Sequence, residues 1–252
     1  MKTSGNTILM TGGGSGIGRE LARQFQALGN TVIVAGRRAA ALEETIGGRE
    51  HMHARTLDVS DAADIETVAA QLIADFPALN VVFNNAGIMV KEDWKTDPVD
   101  LTVAEATIAT NILGPIRLTA AFLPHLRRQP AARVVNVTSG LAFVPLAHTP
   151  AYSASKAAMH AWTQSLRWQL RGTRVEVIEL APPGVQTELT PGQSTRDVYM
   201  PLADFIAETM ESFGREDTPA EVVVQRAKML RAAEREGNFD QVFEMLSAHY
   251  AG

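Results

Sequence analysis

The 252-residue chain predicts an α/β fold, a doubly wound parallel sheet flanked by helices. Three observations predict it. Short runs rich in Val, Ile and Leu alternate along the chain with longer segments of helical period, and a β-α-β-α order is met by parallel strands joined through right-handed crossovers. The apolar runs are continuous rather than alternating, as strands buried on both faces require. A glycine-rich turn separates the first run from the first helical segment.

The strands and helices are expected in the following order. TILMTG at 7–12 is the first strand, and a helix at 17–28 follows its turn. TVIVAGR at 31–37 is the second strand, with a helix at 39–46 behind it. HARTLDV at 53–59 is the third, and the helix at 62–76 starts where Ser60 or Asp61 can accept from the free N–H groups of its first turn. NVVFNNAG at 80–87, ARVVNVTS at 132–139 and RVEVIELAP at 174–182 complete six strands, with long helices at 101–128 and 152–171 between them. From 183 onward the chain turns polar and is marked by Pro and Gly. A lid over substrate is expected at 188–215, then helices near 218–235 and 239–249 and no further strand. The expected architecture is therefore six strands with an all-helical C-terminal end. No repeat or linker divides residues 1–252, which predicts a single domain.

Composition narrows the function. Hydrophobic residues make up 46% of the chain, enough for a packed core, and cysteine is absent. Thiolate catalysis and cysteine-based metal sites are thereby excluded, and a cytoplasmic location is expected. A net charge of −5 argues against nucleic acid as a partner. No segment is expected to reach the apolar length of a membrane span. His51 and His53 alternate on a strand without partners at ligand spacing, so no metal is expected.

The turn TGGGSGIG, residues 11–18, carries the first chemical signal. Between a strand and a helix, glycines let the backbone approach a pyrophosphate while the helix N-terminus offers free N–H groups and the positive end of its dipole. Gly12, Gly16 and Gly18 have G-x-x-x-G-x-G spacing, and Gly14, Ser15 and Ile17 lie between them. The sheet is thus expected to be Rossmann-like and to bind a dinucleotide. The second strand ends in Gly36, Arg37 and Arg38, where a carboxylate would favour NAD. Two guanidinium groups and no acid favour the 2′-phosphate of NADP(H), with NAD(H) the lesser candidate.

Tyr152 and Lys156, in TPAYSASKAAMHAW, stand one turn apart on one helical face. With these parts in place, residues 5–190 resemble the short-chain dehydrogenase/reductase family, whose motifs occur here in order. LDVSD resembles the adenine-binding strand end and implies Asp58 and Val59 beside the base. NNAG places Asn85, Ala86 and Gly87 along the cofactor, and TNILG places Asn111 at the family's active-site asparagine. VNVTS sets Ser139 thirteen residues before Tyr152. PPGVQT is similar to the segment beside the nicotinamide and implies contacts from Pro183, Gly184, Val185 and Thr187.

The resemblance implies a catalytic set of Asn111, Ser139, Tyr152 and Lys156. Carbonyl reduction needs a hydride donor, a stabiliser for the developing oxyanion and a proton source. Tyr152 supplies the proton, Ser139 donates to the substrate oxygen, and Lys156 holds the ribose and is expected to lower the phenol's pKa. Asn111 anchors a water. The expected function is NADP(H)-dependent transfer of a hydride between nicotinamide and a medium-sized ketone, aldehyde or alcohol. Two alternatives remain open here: a redox-sensing regulator without turnover, and a related isomerase or dehydratase. Loops 88–96 and 140–151 are expected to select substrate, with Met89, Trp94 and His148 as candidate contacts. A homodimer through the long helices is expected.

Overall fold

The computed structural model describes residues 2–249. Its strands are β1 (Thr7–Thr11), β2 (Thr31–Gly36), β3 (Met52–Thr56), β4 (Leu79–Asn84), β5 (Ala132–Val137), β6 (Val175–Ala181) and β7 (Glu221–Val223). All pair in parallel, in one sheet ordered β3-β2-β1-β4-β5-β6-β7. The order reverses between β1 and β4, so the loops after these strands diverge and leave a crevice at the carboxyl edge.

The expectation of six strands is corrected to seven. Glu221–Val223 falls inside the segment expected to be helical at 218–235, of which only α8 (Lys228–Ala232) is α-helix. The strand is three residues long and pairs with β6 alone. The other helices are α1 (Gly16–Ala27), α2 (Ala39–Ile46), α3 (Ala62–Asp75), α4 (Thr102–Ile108), α5 (Gly114–Leu126), α6 (Pro150–Gln169), α7 (Leu202–Gly214) and α9 (Phe239–His249). Asp61 is the cap of α3, accepting from Ala63 N and Asp64 N. The single helix expected at 101–128 is interrupted by one π-helical stretch, Ala109–Leu113.

Side chains on alternate strand positions build two cores. One face packs Ile8, Met10, Val34 and Phe83 against Leu21 and Phe25 of α1 and Phe205 and Phe213 of α7. The other packs Leu9, Ile33 and Val82 against Ile65 and Leu72 of α3 and Leu118 and Phe122 of α5. Burying each such side chain stabilises the fold by about 1.5–3 kcal/mol relative to leaving it in water. A third cluster joins Val144, Leu230 and Val242 and fastens the C-terminal helices to the loop after β5. The run Thr102–Leu126 reaches bilayer-crossing length with a mean hydropathy of 1.3, contrary to expectation. Its apolar residues Leu118, Phe122 and Leu126 are spent on the sheet's core.

Candidate active site

The crevice begins where the loops after β1 and β4 touch. Gly12 adopts φ +65°, and a Cβ there would lie 2.8 Å from Asn85 Nδ2 and 2.9 Å from Ala86 Cα. Gly18 faces the carbonyl of Gly12 too closely for any side chain. Thr11 joins the two loops: its Oγ1 donates to Phe83 O at 2.9 Å and accepts from Asn85 N at 3.0 Å and Ala86 N at 3.1 Å. Asn85 Nδ2 returns a bond to Thr11 O at 2.9 Å.

Helix α1 starts without a side-chain cap, and its first turn holds no acidic residue. Gly16, Ile17 and Gly18 line a cavity of about 570 Å³. Their unpaired N–H groups and the helix dipole suit a phosphate, so this end of the cavity fits a dinucleotide. Gly36, Arg37, Arg38 and Asp58 line the same cavity, and Arg38 Nη2 reaches Ser15 Oγ at 3.4 Å. Burial raises the pKa of Asp58, but the bonds from Ser60 and the nearby Arg37 guanidinium outweigh it and hold the carboxyl below its ordinary value.

At the other end, Ser139 leaves β5 and Tyr152 and Lys156 project from α6. All three are buried, at 7%, 7% and 5% exposure. Ser139 Oγ accepts from Leu141 N at 3.1 Å and shares a side-chain hydrogen bond with Tyr152. Lys156 Nζ donates to Val137 O at 2.9 Å and lies 5.5 Å from the centre of the Tyr152 ring. Burial pushes the phenol up to about 12, with only the Ser139 bond opposing it. Burial also pushes the Lys156 ammonium down to about 8. In the cofactor-free chain desolvation of both groups dominates; the lowering of Tyr152 expected from Lys156 concerns the complex with the oxidised nicotinamide.

Asn111 lies in the π-helical stretch and is 1% exposed. Its Oδ1 accepts from Ile88 N at 2.9 Å, and its Nδ2 donates to Ile88 O at 2.9 Å and Ser155 Oγ at 3.2 Å. It therefore ties the loop after β4 to α6 directly. Gly87 lies between, since a Cβ there would be 3.2 Å from Asn111 Oδ1 and 3.6 Å from Lys156 Nζ.

Every predicted site residue lines the cavity except Asn111 and Gly184. Gly184 instead makes room for the Tyr199 ring. Val59, Pro183, Val185 and Thr187 are on the wall as predicted, as is Met89, whereas Trp94 and His148 are not. Trp94 is 56% exposed, and His148 contributes its carbonyl to Glu92 N at 3.0 Å. Sequence reasoning missed Thr11 and the Val137 carbonyl, whose roles are contacts made across the sheet.

A Rossmann-type sheet with an uncapped, glycine-lined helix start and a buried Ser–Tyr–Lys cluster in the same cavity defines a class of oxidoreductase. Comparison with known proteins gives the family: the short chain dehydrogenase model matches residues 6–197, and the chain belongs to the short-chain dehydrogenase/reductase family. The uncharacterized oxidoreductase DltE of Bacillus subtilis is 42% identical, over 98% of each chain. Sulfoacetaldehyde reductase 2 of Chromohalobacter salexigens is 36% identical, over 73% of this chain and 74% of its own length. A short-chain dehydrogenase of Streptomyces avermitilis superposes with a TM-score of 0.80 at 26% identity, covering 96% of both chains. Two Burkholderia relatives share the fold, at 22% and 21% identity and TM-scores of 0.82 and 0.81. They cover 95% and 98% of this chain and 96% and 99% of their own, and were solved with NAD and NADP respectively.

Proposed function

We propose that the protein is an NADP(H)-dependent reductase of medium-sized ketones and aldehydes, and in reverse a dehydrogenase of the alcohols. The observation that carries this is the placement of Ser139, Tyr152 and Lys156 in the same cavity as the α1 N-terminus and Arg37–Arg38. The nicotinamide supplies the hydride when bound. Gly16, Ile17 and Gly18 hold its pyrophosphate through their N–H groups, and Arg37 and Arg38 hold the 2′-phosphate.

With a phenol pushed up to about 12, Tyr152 is protonated at neutral pH and is the proton donor to the developing alkoxide. Ser139 donates a hydrogen bond to the same oxygen. Lys156, fixed by Val137 O, presents its remaining protons to the cofactor ribose. Asn111, bound at both polar atoms to Ile88, orders the loop after β4. Ile88, Met89, Val90 and Leu189 make an apolar mouth, which suits an uncharged carbonyl compound. The 36%-identical relative is named for an aldehyde, which supports carbonyl chemistry. Of the 188–215 segment expected as a lid, we assign that role to 188–200, since Phe205 and Phe213 of α7 are fully buried. A homodimer in the cytoplasm completes the reading.

The test follows NADPH and NADH absorbance with a panel of ketones and aldehydes. Tyr152→Phe is expected to lose about 10²- to 10⁴-fold in turnover, the usual worth of a general acid, while still binding cofactor. Undiminished turnover in that variant rejects the mechanism. Arg37→Asp is expected to weaken NADPH about tenfold or more, since a charge-assisted bond contributes roughly 1.5–3 kcal/mol, and to spare NADH. Equal loss for both cofactors removes the preference.

A further inference from the structure

Among the described residues Glu179, on β6, is the only buried acidic side chain, at 0% exposure. Nothing in the hydride-transfer scheme uses it. Its Oε1 accepts from Thr138 Oγ1 at 2.6 Å, and both its oxygens face His160 Nδ1, at 3.0 and 2.9 Å. Thr138 is the residue before Ser139. His160 lies on α6, one turn beyond Lys156. One carboxylate thus bonds the strand end that delivers the serine and the helix that carries the tyrosine and lysine.

The surrounding charges keep it there. Glu221 of β7 is the register neighbour of Glu179, which would set two like charges side by side. Arg231 pairs with Glu221: its Nε lies 2.5 Å from Glu221 Oε1 and its Nη2 3.3 Å from Oε2. Glu179 adds to the field that raises the pKa of Arg231, after the Glu221 bond as the main cause. The guanidinium also lies 4.8 Å from the Phe143 ring centre, on the loop following Ser139. Gln164 Nε2 lies 3.0 Å from His160 Nε2, so His160 donates through Nδ1 and accepts through Nε2.

We propose that Glu179 is a positioning residue, which with Thr138 and His160 fixes the spacing between Ser139 and the Tyr152–Lys156 helix. A buried carboxylate costs several kcal/mol in lost hydration, so an apolar side chain would serve stability alone better. What the carboxylate adds is direction: charge-assisted bonds to a fully buried carboxylate lock both partners' rotamers. His160, Glu179 and Glu221 have donor atoms within 4.8 Å of one another, the spacing of a cation site. Arg231 already supplies the positive charge there, and the proposal needs no metal.

This inference rests on the reductase reading, and its test separates the two. Thr138→Val removes the hydroxyl at constant size and Thr138→Ser restores it. Thr138→Val is expected to lower kcat about 10²-fold, as a misplacement near 1 Å does, with KM and cofactor affinity within about twofold. Thr138→Ser should return to within about threefold of the parent kcat. Glu179→Gln, which keeps the shape, is expected to follow Thr138→Val. An unchanged kcat in Thr138→Val, a loss confined to KM, or failure of Thr138→Ser to recover overturns the proposal. So does loss of parent turnover on chelation with EDTA, which would assign the cluster to a cation. Amide hydrogen exchange supplies a readout independent of any substrate: Thr138→Val is expected to speed exchange at both 139–142 and 152–156. Unaltered exchange in either segment overturns the clamp even if no carbonyl in the panel is reduced. No turnover of any carbonyl by the parent, with the exchange coupling present, overturns the reductase reading alone.

Discussion

A phenol and an ammonium group face each other in this cavity, and burial favours the neutral form of both. Tyr152 rises to about 12 and Lys156 falls to about 8. Lysine ordinarily titrates at 10.5, so between pH 8 and 10.5 the unfolded chain holds a proton that the folded chain has released. Unfolding then takes up a proton, and stability rises with pH across that window. Tyr152 works in the opposite sense, but only above pH 10, where the unfolded phenol ionises first. The melting temperature of the parent relative to Lys156→Met should therefore climb from pH 8 to pH 10. A flat or falling difference contradicts the desolvation of Lys156. Ser139, Tyr152 and Lys156 were legible in the sequence because their spacing is local or fixed by family motifs. The desolvation was not, since the elements that enclose α6, among them α4, the π-helical stretch and Val137 of β5, lie elsewhere along the chain.

Among the elements, the long helices and the first six strands follow from continuous apolar runs and helical period, and their observed limits lie within about three residues of those expected. The misses have physical causes. Strand β7 is only three residues long, and its signal, Val222 to Val224, is shorter than the helical segment expected around it. The π-helical stretch has no compositional mark, because it depends on Asn111 meeting Ile88 across a loop. The start of α6 is also finished from outside. Thr149 makes no side-chain cap there, and Glu92 Oε1 instead accepts from Ala151 N at 2.8 Å. Glu92→Ala should cost about 0.5–2 kcal/mol in denaturant unfolding, the range of a lost cap, and Glu92→Gln distinctly less. Equal stability of Glu92→Ala and the parent would show that the contact adds nothing to the helix.

At the scale of the whole molecule, the sheet order places the cofactor end and the Ser–Tyr–Lys end in one crevice. The proposed homodimer would pair the outer helices. Exposed positions on α6 include Ala154, Ala157, Ala158 and Ala161, a flat face that ends at Trp168, 65% exposed. Helix α4 and the π-helical stretch contact α6 and expose Ile108 and Leu113. Flat small-residue surfaces let a second helix pair approach closely, and burying Trp168 and Ile108 together would supply apolar area at its margin. The β7 edge of the sheet offers three residues of backbone, too little to hold an assembly by strand pairing alone. Static light scattering should accordingly report twice the 27.2 kDa of one chain. Ala161→Glu, which puts an uncompensated charge in the centre of that face, should shift the mass to a single chain while leaving the Tyr152 pocket folded. A parent monomer contradicts the helical interface, and a tetramer that Ala161→Glu leaves intact would assign assembly to the β7 edge instead.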